Sequence, residues 1–172
     1  MSGKANDVRA DWTGRFYEDL DVGDVYRSRW GHTVTEADNA LFTQLTHNTN
    51  PLHFDARYAA DSRWGRILVN STFTLALITG MSVNDVTEHA MANLGWEEIK
   101  LPNPVFLGDT LYCETEILAR RDSKSYPEAG IVRFRSRGIN QDGDVVLEYT
   151  RSAMIYRRAA APQVSFPVAN GR

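Results

Sequence analysis

An α+β fold, with an antiparallel sheet wrapped around one apolar helix, follows from three features of the sequence. A run almost free of charge, "FTLALITGM", lies mid-chain; segments alternating apolar and polar residues fill the chain after it; and turn signals separate those segments.

In chain order, "VYRSRWGHTV" alternates loosely and predicts a strand. Thr35 stands three residues before Asp38, an acidic variant of the capping box, and opens a helix through "EADNALFTQLT", with Ala40, Leu41 and Leu45 at helical spacing. Pro51 fixes its own φ and keeps Asn50 out of the helical region, so that helix stops near His47. Asp55 can cap a short helix, "ARYAAD", which "WGR" interrupts. Ser71 or Thr72 then caps the apolar run, whose lack of charge predicts burial nearly all round. From Asn93 onward come "LGWEEIKL", the loop "PNP", "TLYCETEIL", "GIVRFRSRGI" and "VVLEYTRSAMIYRR", with turns at Gly108–Asp109 and Gln141–Gly143. One buried helix followed by a run of antiparallel strands is the hot-dog architecture in outline. The expected organisation is a polar segment over 1–14, a single domain over 15–158, and a tail over 159–172 pinned to the surface by Phe166.

The 172 residues suit one domain, and 42% hydrophobic residues are enough for a substantial core. A net charge of −3 excludes a general polyanion binder and gives no reason to expect nucleic acid as the partner. Cys113 stands alone, so there is no intramolecular disulfide and no Cys/His metal spacing, as suits a reducing compartment. The polar N-terminus lacks the apolar core of a signal peptide, and no run approaches membrane-spanning length; the expectation is a soluble cytoplasmic protein with no membrane partner.

The densest polar cluster is "LTHNTNPLHFD", which crowds His47, Asn48, Asn50 and His53 around Pro51. A neutral histidine is well suited to abstract a proton near neutral pH, whereas asparagine can fix a water or a carbonyl but cannot take a proton. Structural roles compete for each residue. His53 can flank a helix and bond to backbone; His47 suits the negative end of a helix dipole; Asn48 and Asn50 are turn formers.

The stretch "NTNPLHFDARYAADSRWGRILVNS" resembles the signature of the MaoC-like, (R)-specific enoyl-CoA hydratases. Their pattern is roughly Gly-Asp-x-Asn-Pro-x-His, then, after the next helix, Phe-Gly-Arg and a His-Gly pair. "PVFLGDTL" resembles their later loop and strand entry, and the likeness runs from about Phe16 to Arg158. The resemblance implies stereospecific, reversible addition of water across the C2=C3 bond of an enoyl thioester. It carries the family's histidine onto His53, its asparagine onto Asn50 and its catalytic aspartate onto Asn48, a departure that removes charge and proton-transfer capacity. The His-Gly pair falls on Asn70–Ser71; a backbone donor that polarises the thioester carbonyl survives at Ser71, where the helix N-terminus favours negative charge.

The site departures leave two readings, a subfamily with retuned chemistry or a copy that binds without catalysis. The sequence looks similar to hydratases of short branched dicarboxylic acyl-CoAs such as mesaconyl- or itaconyl-CoA. A second substrate carboxylate calls for a cationic partner, and Arg66 and Arg63 are the candidates. By resemblance, coenzyme A is the substrate carrier, a homodimer shares one continuous sheet, and no metal or redox cofactor is expected. Arg133, Arg135 and Arg137 share one strand face by the period of two; they can meet coenzyme A phosphates or form a solvated outer face with Val132 and Phe134 turned inward. Trp64 and Trp96 can line a pocket or simply serve as packing. The rivals are a non-catalytic acyl-CoA-binding protein, suggested by Asn48, a structural dimer, which the polar cluster argues against, and a hot-dog thioesterase. The last places an acid on or near the central helix; Asn70 to Leu77 holds none, which leaves Asp85 and Glu88 to consider.

Overall fold

The computed structural model describes residues 13–163, so the polar first dozen residues and Phe166 lie outside the described range. A six-stranded sheet has the order β1 (Val25–Arg27), β4 (Thr110–Asp122), β5 (Ala129–Ile139), β6 (Val145–Tyr156), β3 (Ala90–Lys100), and β2 (His32–Thr33) also pairs with β4. Every pairing is antiparallel. The helices are α1 (Glu36–Leu45), α2 (Ala56–Asp61) and α3 (Ser71–Met81), followed by a π-helical turn, Val83–Thr87. This is the hot-dog arrangement, with α3 packed on β4 and β5 of the sheet.

The contact between α3 and the sheet is close because β5 carries Gly138 beneath it. A Cβ there would lie 2.7 Å from Cγ1 of the fully buried Ile78. Along the same strand Val132, Phe134 and Ser136 turn inward, and Arg133, Arg135 and Arg137 turn outward. Each arginine meets an acid from another strand of the sheet: Arg133 reaches across β6 to Glu97 of β3 at 2.8 Å, Arg137 bonds Glu148 of β6 at 2.7 Å, and Arg135 bonds Glu116 of β4. The outer-face reading of these arginines therefore holds.

Several expectations change. The stretch "VYRSRWGHTV" is two short strands, broken where Ser28 Oγ accepts the Cys113 N–H at 3.0 Å and displaces a ladder bond. The cap of α3 is Asn70, whose Oδ1 accepts the Thr72 N–H at 3.0 Å and the Thr72 hydroxyl at 2.7 Å, not Ser71 or Thr72. Nor is α3 buried all round. Thr74 and Ile78 are buried, but Thr72, Ala76 and Gly80 are exposed, because one sheet covers one side of a helix. The edge strand β3 likewise exposes Leu94, Trp96 and Ile99 and pairs only with β6.

Candidate active site

The polar cluster begins where α1 ends. Thr35 and Asp38 form the expected reciprocal cap at its start, with Asp38 N–H to Thr35 Oγ1 at 3.1 Å and Thr35 N–H to Asp38 Oδ2 at 2.9 Å. At its other end, the N–H of His47 donates to Gln44 O at 3.1 Å and that of Asn48 to Thr43 O at 3.0 Å, while His47 adopts φ +54°. This is a Schellman termination with histidine at the left-handed position that glycine usually occupies. Two side-chain turns follow. Asn48 Oδ1 accepts the Asn50 N–H, and Asn50 Oδ1 accepts the Leu52 N–H, each at 3.1 Å. Asn50 thus caps the short 3₁₀ turn Pro51–His53. Asp55 Oδ1 then accepts the N–H groups of Arg57 and Tyr58 at 3.0 Å and starts α2.

That turn delivers His53 into the protein, where it is 8% exposed. Its Nδ1 lies 2.8 Å from the Leu68 carbonyl. A carbonyl can only accept, so Nδ1 carries the hydrogen, and the neutral ring keeps its lone pair on Nε2. Leu68 is itself fixed: its N–H donates to Leu52 O at 3.1 Å, and it bridges to Phe106. The imidazole is thereby set in the tautomer that can accept a proton through Nε2.

A buried strut joins this histidine to the start of α3. Asn39, 1% exposed on α1, donates from Nδ2 to the His53 carbonyl at 2.7 Å and accepts the Asn70 N–H on Oδ1 at 2.9 Å. Asn70 in turn reaches Thr43 Oγ1 at 3.3 Å. Asn39 and Thr43 escaped the sequence reading, which followed the apolar residues of α1. Leu41 and Leu45 prove 60% and 70% exposed, and the inward face is the polar pair one helical turn apart. The available signal was that spacing of an amide and a hydroxyl within an otherwise mixed helix.

The predicted site residues fall into separate recesses of the chain. Ser71, first in α3, has no partner within the helix for its N–H, and it lines a cavity of about 200 Å³ with Trp64, Leu68, Thr74 and Val105. Asn48 lines another of about 570 Å³ with His47, Thr43, Gln44 and Phe54. His53 lines neither; Leu68 ties it to the first recess, and Asn39 and Thr43 tie its surroundings to the second. Arg66 packs its guanidinium 3.7 Å from the centre of the Phe106 ring, and Arg63 lies 4.8 Å from that of Trp64; neither lines the recess of Ser71 or of Asn48. Asp85, in the π-helical turn, lines a third recess with Trp30 and Met81 and pairs with Arg15 at 3.8 Å; burial pushes its carboxyl above the usual range. Neither Asp85 nor Glu88 lines the recess of Ser71 or of Asn48, so neither supplies the thioesterase acid there. Trp96 lies exposed on β3. Among the described residues no group of three or more His, Cys, Asp or Glu is placed to hold a metal, and no helix is long and apolar enough to cross a membrane.

The chain is 32% identical over 154 residues to mesaconyl-CoA hydratase of Cereibacter sphaeroides, covering 90% of this chain and 45% of that protein. It is 32% identical over 170 residues to beta-methylmalyl-CoA dehydratase of Chloroflexus aurantiacus, covering 97% of this chain and 46% of that one. It therefore spans just under half the length of these curated relatives. The crystal structure of the MaoC-like dehydratase from Rhodospirillum rubrum superposes with a TM-score of 0.74 at 34% identity, covering 84% of this chain and 99% of that one. With the MaoC like domain matched over residues 19–134, the chain belongs to that family.

Proposed function

We propose that the protein catalyses the reversible hydration of an enoyl-CoA thioester, on a short branched dicarboxylic substrate such as mesaconyl- or itaconyl-CoA. The observation that carries this reading is the Nδ1 bond from His53 to Leu68 O, which leaves Nε2 as a proton acceptor in a ring tied through Asn39 to the start of α3. Nε2 takes a proton from water as its oxygen adds to C3. Charge developing on the thioester oxygen is met by the Ser71 N–H and the positive end of α3, and the imidazolium returns its proton to C2. Asn48 orients the reactants without taking a proton, and Asn50 holds the turn. No step is routed through a metal or redox cofactor.

Coenzyme A is the carrier in this reading, as the names of the hydratase relatives support. A homodimer is proposed because the open side of α3 and the apolar edge strand β3 are surfaces a second copy would cover. The single cysteine supports a reducing compartment, the cytoplasm. Loss of the conjugated-thioester absorbance of mesaconyl-CoA tests the activity. His53→Ala should lower the rate by about 10²-fold or more, the usual worth of general acid–base assistance. Tight acyl-CoA binding with no enoyl-CoA consumed would replace this reading with the binding protein that Asn48 allows, and thiol release from saturated acyl-CoAs would replace it with a thioesterase.

A further inference from the structure

The recess beside Asn48 is free of carboxylates and rich in hydrogen-bond donors. Thr43, Gln44, His47, Asn48 and Thr49 line its polar side, and Ala40 and Phe54 complete it. Asn48 is oriented by its neighbour. The Asn50 N–H can only donate, so the side-chain atom 3.1 Å from it is the oxygen, and the amide nitrogen is the other atom. Among the described residues that Nδ2 has no hydrogen-bond partner. An aspartate at this position would accept the same Asn50 N–H and preserve the turn. The exchange is felt at the second atom alone, where a neutral donor stands in place of an anionic acceptor.

The residue before it changes in the same sense. His47 holds φ +54°, a conformation costly for an L-residue, at the place where the pattern Gly-Asp-x-Asn-Pro-x-His carries glycine. Retaining a histidine there puts an imidazole on the wall of the recess at the expense of backbone comfort. Relative to that pattern, the adjacent positions have exchanged an anion and a bare backbone for two side chains able to donate.

We propose that this recess binds a carboxylate carried on C3 of the enoyl thioester, through Asn48 Nδ2 and the His47 imidazole. The proposal rests on the hydratase reading and names the residues that would meet the second carboxylate of its substrate. Water adds at C3, so a carboxylate on that carbon lies one bond from the reacting centre and next to whatever residue holds the water. An aspartate there would set two negative charges side by side, which disfavours such a substrate; an asparagine accepts it. The addition itself is unaltered: one O–H bond of water breaks, oxygen joins C3, hydrogen joins C2, and no oxidant or reductant is needed. Arg66 and Arg63 stack on Phe106 and Trp64 and do not line this recess.

The test uses fumaryl-CoA and crotonyl-CoA, which differ by a carboxylate against a methyl on C3. The wild-type protein should favour fumaryl-CoA in kcat/KM. Asn48→Asp should lower the ratio of fumaryl-CoA to crotonyl-CoA by about 100-fold, the scale of a hydrogen bond to a charged group. His47→Gly, which suits the positive φ and so should fold, should lower the same ratio by about 10-fold. Calorimetric binding of succinyl-CoA against butyryl-CoA gives a readout free of turnover and should shift in the same direction with Asn48→Asp. An unchanged ratio in both variants, or a ratio that moves only with Arg66→Ala, overturns the proposal while leaving the hydratase reading in place. Wild-type consumption of crotonyl-CoA but not fumaryl-CoA also overturns it. Failure to consume any enoyl-CoA removes the hydratase reading and this inference together.

Discussion

Asn39→Ala isolates the strut between His53 and the start of α3. The substitution leaves the His53 carbonyl and the Asn70 N–H without the bonds of 2.7 and 2.9 Å that they now make, in a place where Asn39 is 1% exposed. Each buried backbone group left unsatisfied costs about 1–3 kcal/mol, so the pair costs about 2–6 kcal/mol, and water entering the vacated space brings the expectation to about 3 kcal/mol. A domain of ordinary stability, about 5–15 kcal/mol, survives that loss, with the melting temperature falling by about 6–12 °C. Urea denaturation at unchanged m-value measures it. Activity should fall by about 10–100-fold through misplacement of His53 relative to Ser71, with the shape of the pH–rate profile retained because Nε2 itself is untouched. Asn39→Asp refines the prediction. Its carboxylate still accepts the Asn70 N–H but faces the His53 carbonyl, and only the protonated acid can donate there. The folded-state pKa of that new group is raised above the unfolded value, so its contribution to stability is greatest at low pH and fades as pH rises through the folded value. An Asn39→Ala protein within about 1 kcal/mol of wild type would refute the strut, since two orphaned buried groups cannot cost so little.

Two further expectations concern the scaffold. Bonds from the Thr35 hydroxyl and N–H hold the Asp38 carboxyl below the usual range; its contribution is therefore present above the unfolded value, 3.8, and is lost as pH falls through the depressed folded value, so Asp38→Asn should flatten the acid limb of a urea-midpoint-against-pH curve. Burial pushes the Cys113 thiol up to about 11, so the native protein at pH 8 should resist a thiol-reactive disulfide reagent until denaturant is added; rapid labelling of folded protein would contradict its placement in the core.

The sequence was most legible where one residue's chemistry decides its neighbours. The Thr35–Asp38 cap, the Asp55 cap, the Pro51 stop and the inward–outward alternation of β5 all act over a few residues, and all stand where the pattern puts them. Legibility failed where the answer depends on what the far side of an element faces. The run "FTLALITGM" predicts burial nearly all round, yet among the described residues nothing covers the second side of α3. The apolar spacing of α1 pointed outward, because its inner face must satisfy the carbonyl of His53 and the amide of Asn70, groups that no pattern in α1 itself announces. Arg66 and Arg63 stack on Phe106 and Trp64, contacts that charge and position in sequence do not announce.

That contrast explains how a recognisable scaffold can carry an altered site. The groups that hold His53 and the start of α3 are mainly backbone: Leu68 O sets the tautomer, His53 O and the Asn70 N–H anchor the strut, and the Ser71 N–H heads α3. Backbone donors and acceptors persist through most substitutions, so replacing glycine by Ser71 or by His47 leaves the framework bonds in place. Asn39 has no such freedom, because only a side chain with one donor and one acceptor, at that length, satisfies both partners at once. Asn48 sits at the opposite extreme. Its oxygen does the structural work by accepting the Asn50 N–H, a bond an aspartate makes equally well, and its second atom is left for whatever enters the recess. Under the proposed function, variation at position 48 would change which charge the recess meets without changing how the loop folds, and the fumaryl-CoA to crotonyl-CoA ratio of Asn48→Asp reads that difference.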